Sequence, residues 1–582
     1  MTITKLDEYS VGDYVGHRME ELGVRDYFVV PGDTNMILLD SLLIHSGLRM
    51  VECCNELNTG YAADGYARTS EAKTAVVVIP YTVGGLSILN AIAGSCSERL
   101  KIIVISGCPA TSVLAGDKET HHTPSPSNKD QALHAFQGVT AAAVRAECFK
   151  SATNVIDDAI IKCVQQSLPV YIELPSDIAG TPCPFPIPLA QKVEEATQPN
   201  QNRAALEAVK NVWNSSHRPV LLLGSHAQVW LSRSSIHRLV ERLGCAVLCQ
   251  PNGRWISESH PQYWGIFWPG LLNPEGEKVV LDSDLWLALG VSWSDLHTLS
   301  IDPRKENHRL INLQHDVVEL PGQKIIDSIN LSDLISAMIN SDAIRPAEFI
   351  LSSKPPYLAD IQAKIRNSND ALTVRSLLSG IQTLVQKNST LVVDTGDTWF
   401  AASHVMLPDG ADLHMQIPYA SIGWSVPAAL GAQVARSQGR VIVMVGDGGF
   451  QMTAQEISTM IRMKLNPIIF LFNNLGYKTE TAVHDGPYNY PANWDYAKLA
   501  TSFFDKPHAQ PPNPYVTEKT ENGEEMPVFA EKVHTQADLL RVIEKANVES
   551  GKLAFLECCI QPDDMTPELK VLGEKVGRGV SK

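Results

Sequence analysis

Short runs of apolar, mostly branched residues recur along the chain, each closed by a polar residue, a glycine or a proline. In the first third they are DYFVV (26–30), RMVECC (49–54), AVVVI (75–79), KIIVIS (101–106) and PVYIEL (169–174). A second set comprises VLLLG (220–224), AVLCQ (246–250), DLWLALG (284–290) and RLINL (309–313). The third is TLVVD (390–394), VIVMV (441–445), PIIFLF (467–472) and AFLECC (554–559). Most lack the apolar–polar alternation of a half-exposed strand, so they predict strands covered on both faces, as in parallel sheets. Helical segments fill the gaps, and strands alternating with helices predict doubly wound α/β layers. Two Pro- and polar-rich stretches, 182–202 and 345–357, read as linkers. The expected fold class is α/β, with three doubly wound parallel-sheet domains over 1–185, 200–345 and 370–582.

The densest chemistry lies between two of these runs. VIVMV leads into Gly446-Asp447-Gly448-Gly449, and PIIFLF into Asn473-Asn474. Ile457, Met460, Ile461 and Leu465 stand at helical spacing between them and predict one crossover helix. Asp447 and Asn474, 27 positions apart, are then both just past strand C-termini, where open α/β sheets bind ligands. An Asp and an Asn beside bare glycine backbone suit a hard cation that keeps diphosphate oxygens as its other ligands. GDG followed by NN at this separation resembles the diphosphate motif of thiamine-diphosphate enzymes. The competing reading is an ordinary βα turn. A nicotinamide site fits less well, because GDGGFQ lacks the third glycine of GxGxxG.

Composition narrows the partners. The 582 residues are 44% hydrophobic, ample for several cores, with a formal charge of −16 that disfavours nucleic acid and anionic membranes. Eleven cysteines stand without CxxC pairs, which reads as reduced thiols in a cytoplasmic protein. MTITKLDEYSVGDY holds no apolar leader, and no apolar run approaches a membrane span.

The first block places its own chemistry after strands: Pro31-Gly32-Asp33, Asn55-Glu56, Tyr81-Thr82, and the His121-His122-Thr123 loop. Each has a plainer reading. Asp33 suits a helix cap, Glu56 a first-turn acid, and the histidines a solvated loop. A metal at the paired histidines lacks a neighbouring Cys or carboxylate set in the sequence.

VPGDTNMILLD, NELNTGYAADGYAR, VGGLSILNAIAGSCSE, the HHT loop, DTGDTWF, ASIGWSVPAALGA, GDGGFQMTAQEIS, NNLGYKTE and HDGPYNYPANWDYAKL follow one another in this order. The series resembles the pyruvate/indolepyruvate decarboxylase family over nearly the whole chain, most loosely in the middle block. The resemblance implies a pyrimidine-binding domain, a middle domain without cofactor, a diphosphate-binding domain, and an active site shared between subunits of a homodimer or homotetramer. It implies thiamine diphosphate and Mg2+ as cofactors and a 2-oxo acid as substrate. It assigns catalysis to Asp33, Glu56, His121, His122 and Glu480. Glu56 matches the glutamate that hydrogen-bonds the aminopyrimidine; the other four match the proton-handling set. Cofactor contacts fall on Glu56, Thr395, Gly396, Asp397, Ala420, Ser421, Ile422, Gly446, Asp447, Gly448, Gly449, Asn474, Gly476 and Tyr477. Ile422 matches the wedge under the bent cofactor. Metal ligation falls on Asp447, Asn474 and the Gly476 carbonyl.

Departures cluster where the substrate is expected. Thr479 replaces the usual isoleucine before Glu480, with Lys478 before it; Pro80 replaces a threonine; Leu296 stands where a tyrosine is common; and Ala420 stands where many relatives have glycine. Trp399 and Trp494 are kept as in small-substrate relatives, so Trp399 and Thr479 are the expected pocket residues and pyruvate the expected substrate. The alternatives are a decarboxylase of longer-chain or aromatic 2-oxo acids, an acetohydroxyacid-synthase-like carboligase (disfavoured by the HHT loop and Glu480), and a non-catalytic scaffold.

Overall fold

The computed structural model describes residues 9–124, 128–196, 201–299, 301, 305–322, 324–347, 365–436, 438–504 and 526–580. The chain falls into two compact units. One comprises Met1–Tyr357 with Gln416–Ser421, the other Leu358–Met415 with Ile422–Lys582.

The first unit contains two sheets. Strands β1 (Asp26–Val29), β2 (Arg49–Glu52), β3 (Thr74–Ile79), β4 (Lys101–Cys108), β5 (Ala142–Arg145) and β6 (Val170–Pro175) lie in the order β2-β1-β3-β4-β6-β5, all parallel. Val76, Val78, Ile103, Ile105, Val170 and Ile172 meet Val15 and Met19 of helix Val11–Glu21 and Ile156 and Ile160 of helix Ala152–Gln166 in one core. Each such fully buried aliphatic side chain contributes about 1.5–3 kcal/mol. The buried Arg18 guanidinium donates from Nε to Asp157 at 2.8 Å and ties these two helices together.

The second sheet is built from β7 (Pro219–Leu223), β8 (Ala246–Cys249), β9 (Tyr263–Ile266), β10 (Leu285–Leu289), β11 (Leu310–Leu313), β12 (Val318–Leu320) and β13 (Lys324–Ile326), in the order β13-β12-β11-β10-β7-β8-β9. Its five parallel strands carry an antiparallel extension, β12 against β11 and β13 against β12. Trp286, Leu222 and Leu248 centre its core.

The other unit holds β14 (Thr390–Val393), β15 (Asp412–Met415), β16 (Val441–Gly446), β17 (Ile468–Asn473), β18 (Val528–Val533) and β19 (Leu553–Cys559), ordered β15-β14-β16-β17-β19-β18 and parallel throughout. Counted within each sheet, the first and third share the order second, first, third, fourth, sixth, fifth. The direction of winding reverses between β1 and β3 and again between β14 and β16, which creates a ligand-binding crevice at the C-terminal edge.

The central strands fall where the apolar runs predict them. Strands β5, β9, β12, β13, β15 and β18 lie outside every predicted run, all of them at or next to a sheet edge. One predicted helix is divided: the crossover from β16 to β17 is Asp447–Thr453 followed by Glu456–Arg462, and Leu465 lies beyond its end. Ala454 and Gln455 keep right-handed dihedrals between the two pieces, and Thr453 Oγ1 turns to donate to the Gly423 carbonyl at 2.7 Å. The stretch 182–202, read as linker, contains helix Leu189–Ala196. Of the stretch 345–357, residues 348–357 lie outside the described residues. No helix among the described residues is long and apolar enough to cross a membrane.

Candidate active site

Strand β1 ends in a tight turn. The Asn35 side chain accepts from Gly32 N at 3.0 Å and donates to the Val30 carbonyl at 3.0 Å. Asn35, not Asp33, is the N-cap residue of helix Met36–Leu43, which frees the Asp33 carboxylate to point outward. It meets His121 Nε2 at 2.8 Å, and the His121 and His122 rings lie 4.5 Å apart. Asp33 and His121 are 58% and 61% exposed at the side chain, so an ordinary surface ion pair is screened and weak here. His122 holds a left-handed backbone (φ 65°), a conformation β-carbon-bearing residues adopt at a cost. Ligand atoms of Asp33, His121 and His122 lie within 4.8 Å of one another. No carboxylate stands near the histidine pair along the chain; Asp33, which only the family resemblance groups with them, reaches His121 from the end of β1.

Glu56 is the first residue of helix Glu56–Thr69, which Asn55 caps by accepting from Asn58 N at 2.9 Å. The helix start thus supplies a half-buried carboxylate in the first turn. Gly84 lies against it: a β-carbon there would stand 3.2 Å from Glu56 Oε1 and 2.8 Å from Pro80 Cδ. Pro80 also closes on Gly32, 2.7 Å from where a β-carbon would be. The departure at Pro80 therefore packs between the Asp33 turn and the start of helix Val83–Ser97. Thr82 next to it is strained, at φ 44° and ψ −58°, with Val83 N donating to the Tyr81 carbonyl across a three-residue turn.

The segment Gln416–Ser421 belongs to this same unit. Ser421 N donates to Gln416 Oε1 at 3.1 Å, Ser421 Oγ lies 2.5 Å from Tyr61 OH, and Asn90 Nδ2 donates to both hydroxyls. Tyr419 OH donates to Asn90 Oδ1 at 2.9 Å. Ala420 is thereby held left-handed (φ 56°), which explains why glycine is the easier residue there.

In the other unit, three strand ends converge. Asp394, fully buried after β14, accepts at Oδ1 from Thr395 N and Gly423 N and at Oδ2 from Ser425 N, each at 2.9 Å. It fixes the turn through Thr395 and Gly396 and the backbone just after Ile422. Asp394 is not among the expected site residues, although it is the acid that closes the apolar run TLVVD. Gly396 (φ 134°) precedes helix Asp397–Ser403. The Asp397 carboxylate accepts from Thr566 N at 3.1 Å and from the Thr566 hydroxyl, and burial pushes it up to about 6. Its hydrogen bonds thus go to the C-terminal segment. Trp399 is 5% exposed, and its indole Nε1 has no hydrogen-bond partner among the described residues.

Asp447 opens its helix after Gly446 and is 3% exposed. Its Oδ1 accepts from Gly448 N at 2.8 Å and its Oδ2 from Gly476 N at 2.9 Å. That second bond clamps the β17 exit onto the β16 exit. Gly476 (φ 133°) must be glycine, since a β-carbon would strike the Asn489 carbonyl. Gly448 packs flat on the Tyr477 ring, and Gly449 on Asp394. At Gly446 a β-carbon would meet nothing within 4 Å. Burial pushes the Asp447 carboxyl up to about 6, against the pull of the two backbone N–H groups and Lys478. Such a carboxylate gains most from a cation. Asn474 beside it is 8% exposed. Oxygen donors from Asp447, Asn474 and the Gly476 backbone, with open space at Gly446, fit a hard divalent ion carrying a diphosphate. Ile422 is 36% exposed, Thr479 is half-buried with Oγ1 3.8 Å from the place of a β-carbon on Gly396, and Glu480 is exposed on the first turn of helix Lys478–Val483.

Three family models match the chain: the thiamine pyrophosphate enzyme N-terminal TPP binding domain over residues 9–134, the central domain over 206–338, and the C-terminal TPP binding domain over 394–558. A probable pyruvate decarboxylase Pdc101 of Schizosaccharomyces pombe is 34% identical over 572 residues, covering 97% of this chain and 96% of that protein. Pyruvate decarboxylase 2 of Arabidopsis thaliana is 33% identical over 98% of this chain and 92% of its own length, and pyruvate decarboxylase 1 of Pisum sativum 33% over 98% and 94%. Matching domain by domain and along its full length, the chain belongs to the thiamine-diphosphate-dependent pyruvate decarboxylase family, enzymes that decarboxylate 2-oxo acids with thiamine diphosphate and a divalent metal.

Proposed function

We propose that this chain converts pyruvate to acetaldehyde and carbon dioxide, using Mg2+ as its divalent ion, as a cytoplasmic homodimer or homotetramer. The observation that carries the reading is the Asp33–His121 contact at 2.8 Å with His122 beside it. A non-oxidative decarboxylase must return a proton to the product, and an imidazole hydrogen-bonded to a carboxylate is a group that can relay one. The full-length match to proteins named pyruvate decarboxylases supports pyruvate as the acid.

When bound, thiamine diphosphate supplies the electron sink that decarboxylation of a 2-oxo acid needs. Asp447, Asn474 and the Gly476 carbonyl would hold its metal, and the glycine backbone at 446–449 would face its phosphates. Glu56 would hydrogen-bond the aminopyrimidine and hold a proton there. Asp33, His121, His122 and Glu480 would carry the proton to product, and Trp399 and Thr479 would bound the substrate side chain.

The test is a substrate panel of pyruvate, 2-oxobutanoate, 2-oxopentanoate, phenylpyruvate and indolepyruvate, with thiamine diphosphate and Mg2+ supplied and then withheld. Acetaldehyde from pyruvate at the highest kcat/KM, dependent on both additions, is expected. A higher kcat/KM for an aromatic acid would replace this reading with the indolepyruvate type, and no cofactor-dependent carbon dioxide release would end it.

A further inference from the structure

Lys478 has no task in the chemistry above, yet it is the charged residue nearest in sequence to the metal set. It opens helix Lys478–Val483 two positions after Gly476 and is only 6% exposed. A buried ammonium is unfavourable unless anions or π-faces surround it. Its Nζ lies 5.2 Å from the centroid of the Tyr490 ring. The charges that act on it are those of Asp447 and Asp485. Asp485 is already engaged, accepting from Tyr490 OH at 3.1 and 3.2 Å. Asp447 is the carboxylate that Gly476 N clamps at the junction of β16 and β17. The ammonium is therefore held against an aromatic face, in a buried residue on which the charge of Asp447 acts.

We propose that Lys478 is a second cation of the diphosphate site, acting beside the divalent ion to bind the phosphate groups of the cofactor. This rests on the assignment of Asp447, Asn474 and Gly476 to the metal. A diphosphate ester carries more negative charge near neutrality than one divalent ion neutralises, and a fixed ammonium in a dry setting supplies the remainder. A consequence distinguishes this role from packing: the site retains affinity for a bare diphosphate when the metal is removed.

The experiment is calorimetric titration of the full-length protein with inorganic pyrophosphate, thiamine diphosphate and thiamine, each in EDTA and in excess Mg2+. Wild type, Lys478→Met, Lys478→Gln and Lys478→Arg are compared. In EDTA, wild type binds pyrophosphate, Lys478→Met and Lys478→Gln bind it about tenfold or more weakly, and Lys478→Arg stays close to wild type. Thiamine, which has no phosphate, binds all four alike. If wild type binds thiamine diphosphate with Mg2+ but shows no pyrophosphate binding in EDTA, or if the neutral variants match it there, Lys478 is not a diphosphate ligand. The wild-type titration alone decides this should a neutral variant misfold. If wild type fails to bind thiamine diphosphate even with Mg2+, the metal assignment itself falls.

Discussion

The first and third sheets have the same strand order, yet their C-terminal edges carry opposite kinds of acid. At the first, Asp33 and its partner His121 stand more than half exposed on a turn and a loop. At the third, Asp394 and Asp447 are buried and Asp397 is half-buried, and each accepts from backbone N–H. Burial raises all three. The topology supplies only a crevice where winding reverses. Its chemistry is set by what fills the turn. Glycines at 448, 449 and 476 let the backbone pack closely around the third-sheet acids, while Pro31-Gly32 and the HHT loop leave the first-sheet groups in water. An exposed acid suits proton exchange; a buried one suits a fixed cation.

The sharpest break of this contrast is expected at Glu56. Glu56→Gln keeps a hydrogen-bonding side chain at the helix start but removes the ionisable group, so hydrogen exchange at C2 of bound cofactor should slow by about 10²–10⁴-fold. Deuterium exchange read by NMR checks it, and a wild-type rate would remove Glu56 from this role. On the buried side, Asp447→Ala should weaken thiamine diphosphate retention about 100-fold, a scale reached even by losses in the outer shell of metal sites. Full activity at ordinary cofactor concentration would refute the metal assignment.

A smaller effect is expected at the substrate wall. Thr479→Ile adds about one methylene of apolar bulk, and one methylene shifts selectivity roughly 10- to 200-fold. Preference should narrow towards pyruvate; unchanged kcat/KM ratios among pyruvate, 2-oxobutanoate and 2-oxopentanoate would place Thr479 outside the pocket. The smallest effect concerns stability. Asp397 lies at about 6 in the folded chain against an ordinary 3.8, so the folded state holds its proton longer. Stability from this group is therefore full below about 3.8 and falls as pH rises towards about 6. Asp397→Asn, in metal-free protein, should be about 1–2 kcal/mol more stable than wild type at pH 7, a gain that vanishes near pH 4. A pH-independent difference in urea titrations would show that the carboxylate is not desolvated.

Legibility followed burial. Strands β3, β4, β16 and β17 are covered on both faces, so nearly all their positions are apolar and each showed as a short apolar run. Edge strands are under no such demand. β18 reads VFAEKV with Glu531 and Lys532 in its length, β5 is half-buried throughout, and β13 exposes Ile325 at 62%. Nothing in those segments separates strand from loop until a neighbour offers its hydrogen bonds. The divided crossover helix escaped for a related reason: its apolar spacing is continuous, and the bond from Thr453 to Gly423 is made to residues thirty positions away.

By itself the sequence determined the α/β alternation, the strand ends that bear Asp33, Glu56, Asp447 and Asn474, and the motif order that names the family, because these depend on local periodicity and on residue types at short spacing. Only the tertiary structure decided that Asp33 meets His121, that Asp394 braces the backbone around Gly423, that Asp397 turns to Thr566, and that Lys478 is buried with its ammonium over the Tyr490 ring. Those contacts join residues far apart in the chain, and burial, which alone makes a carboxylate or an ammonium costly and therefore informative, exists only once the sheets have closed.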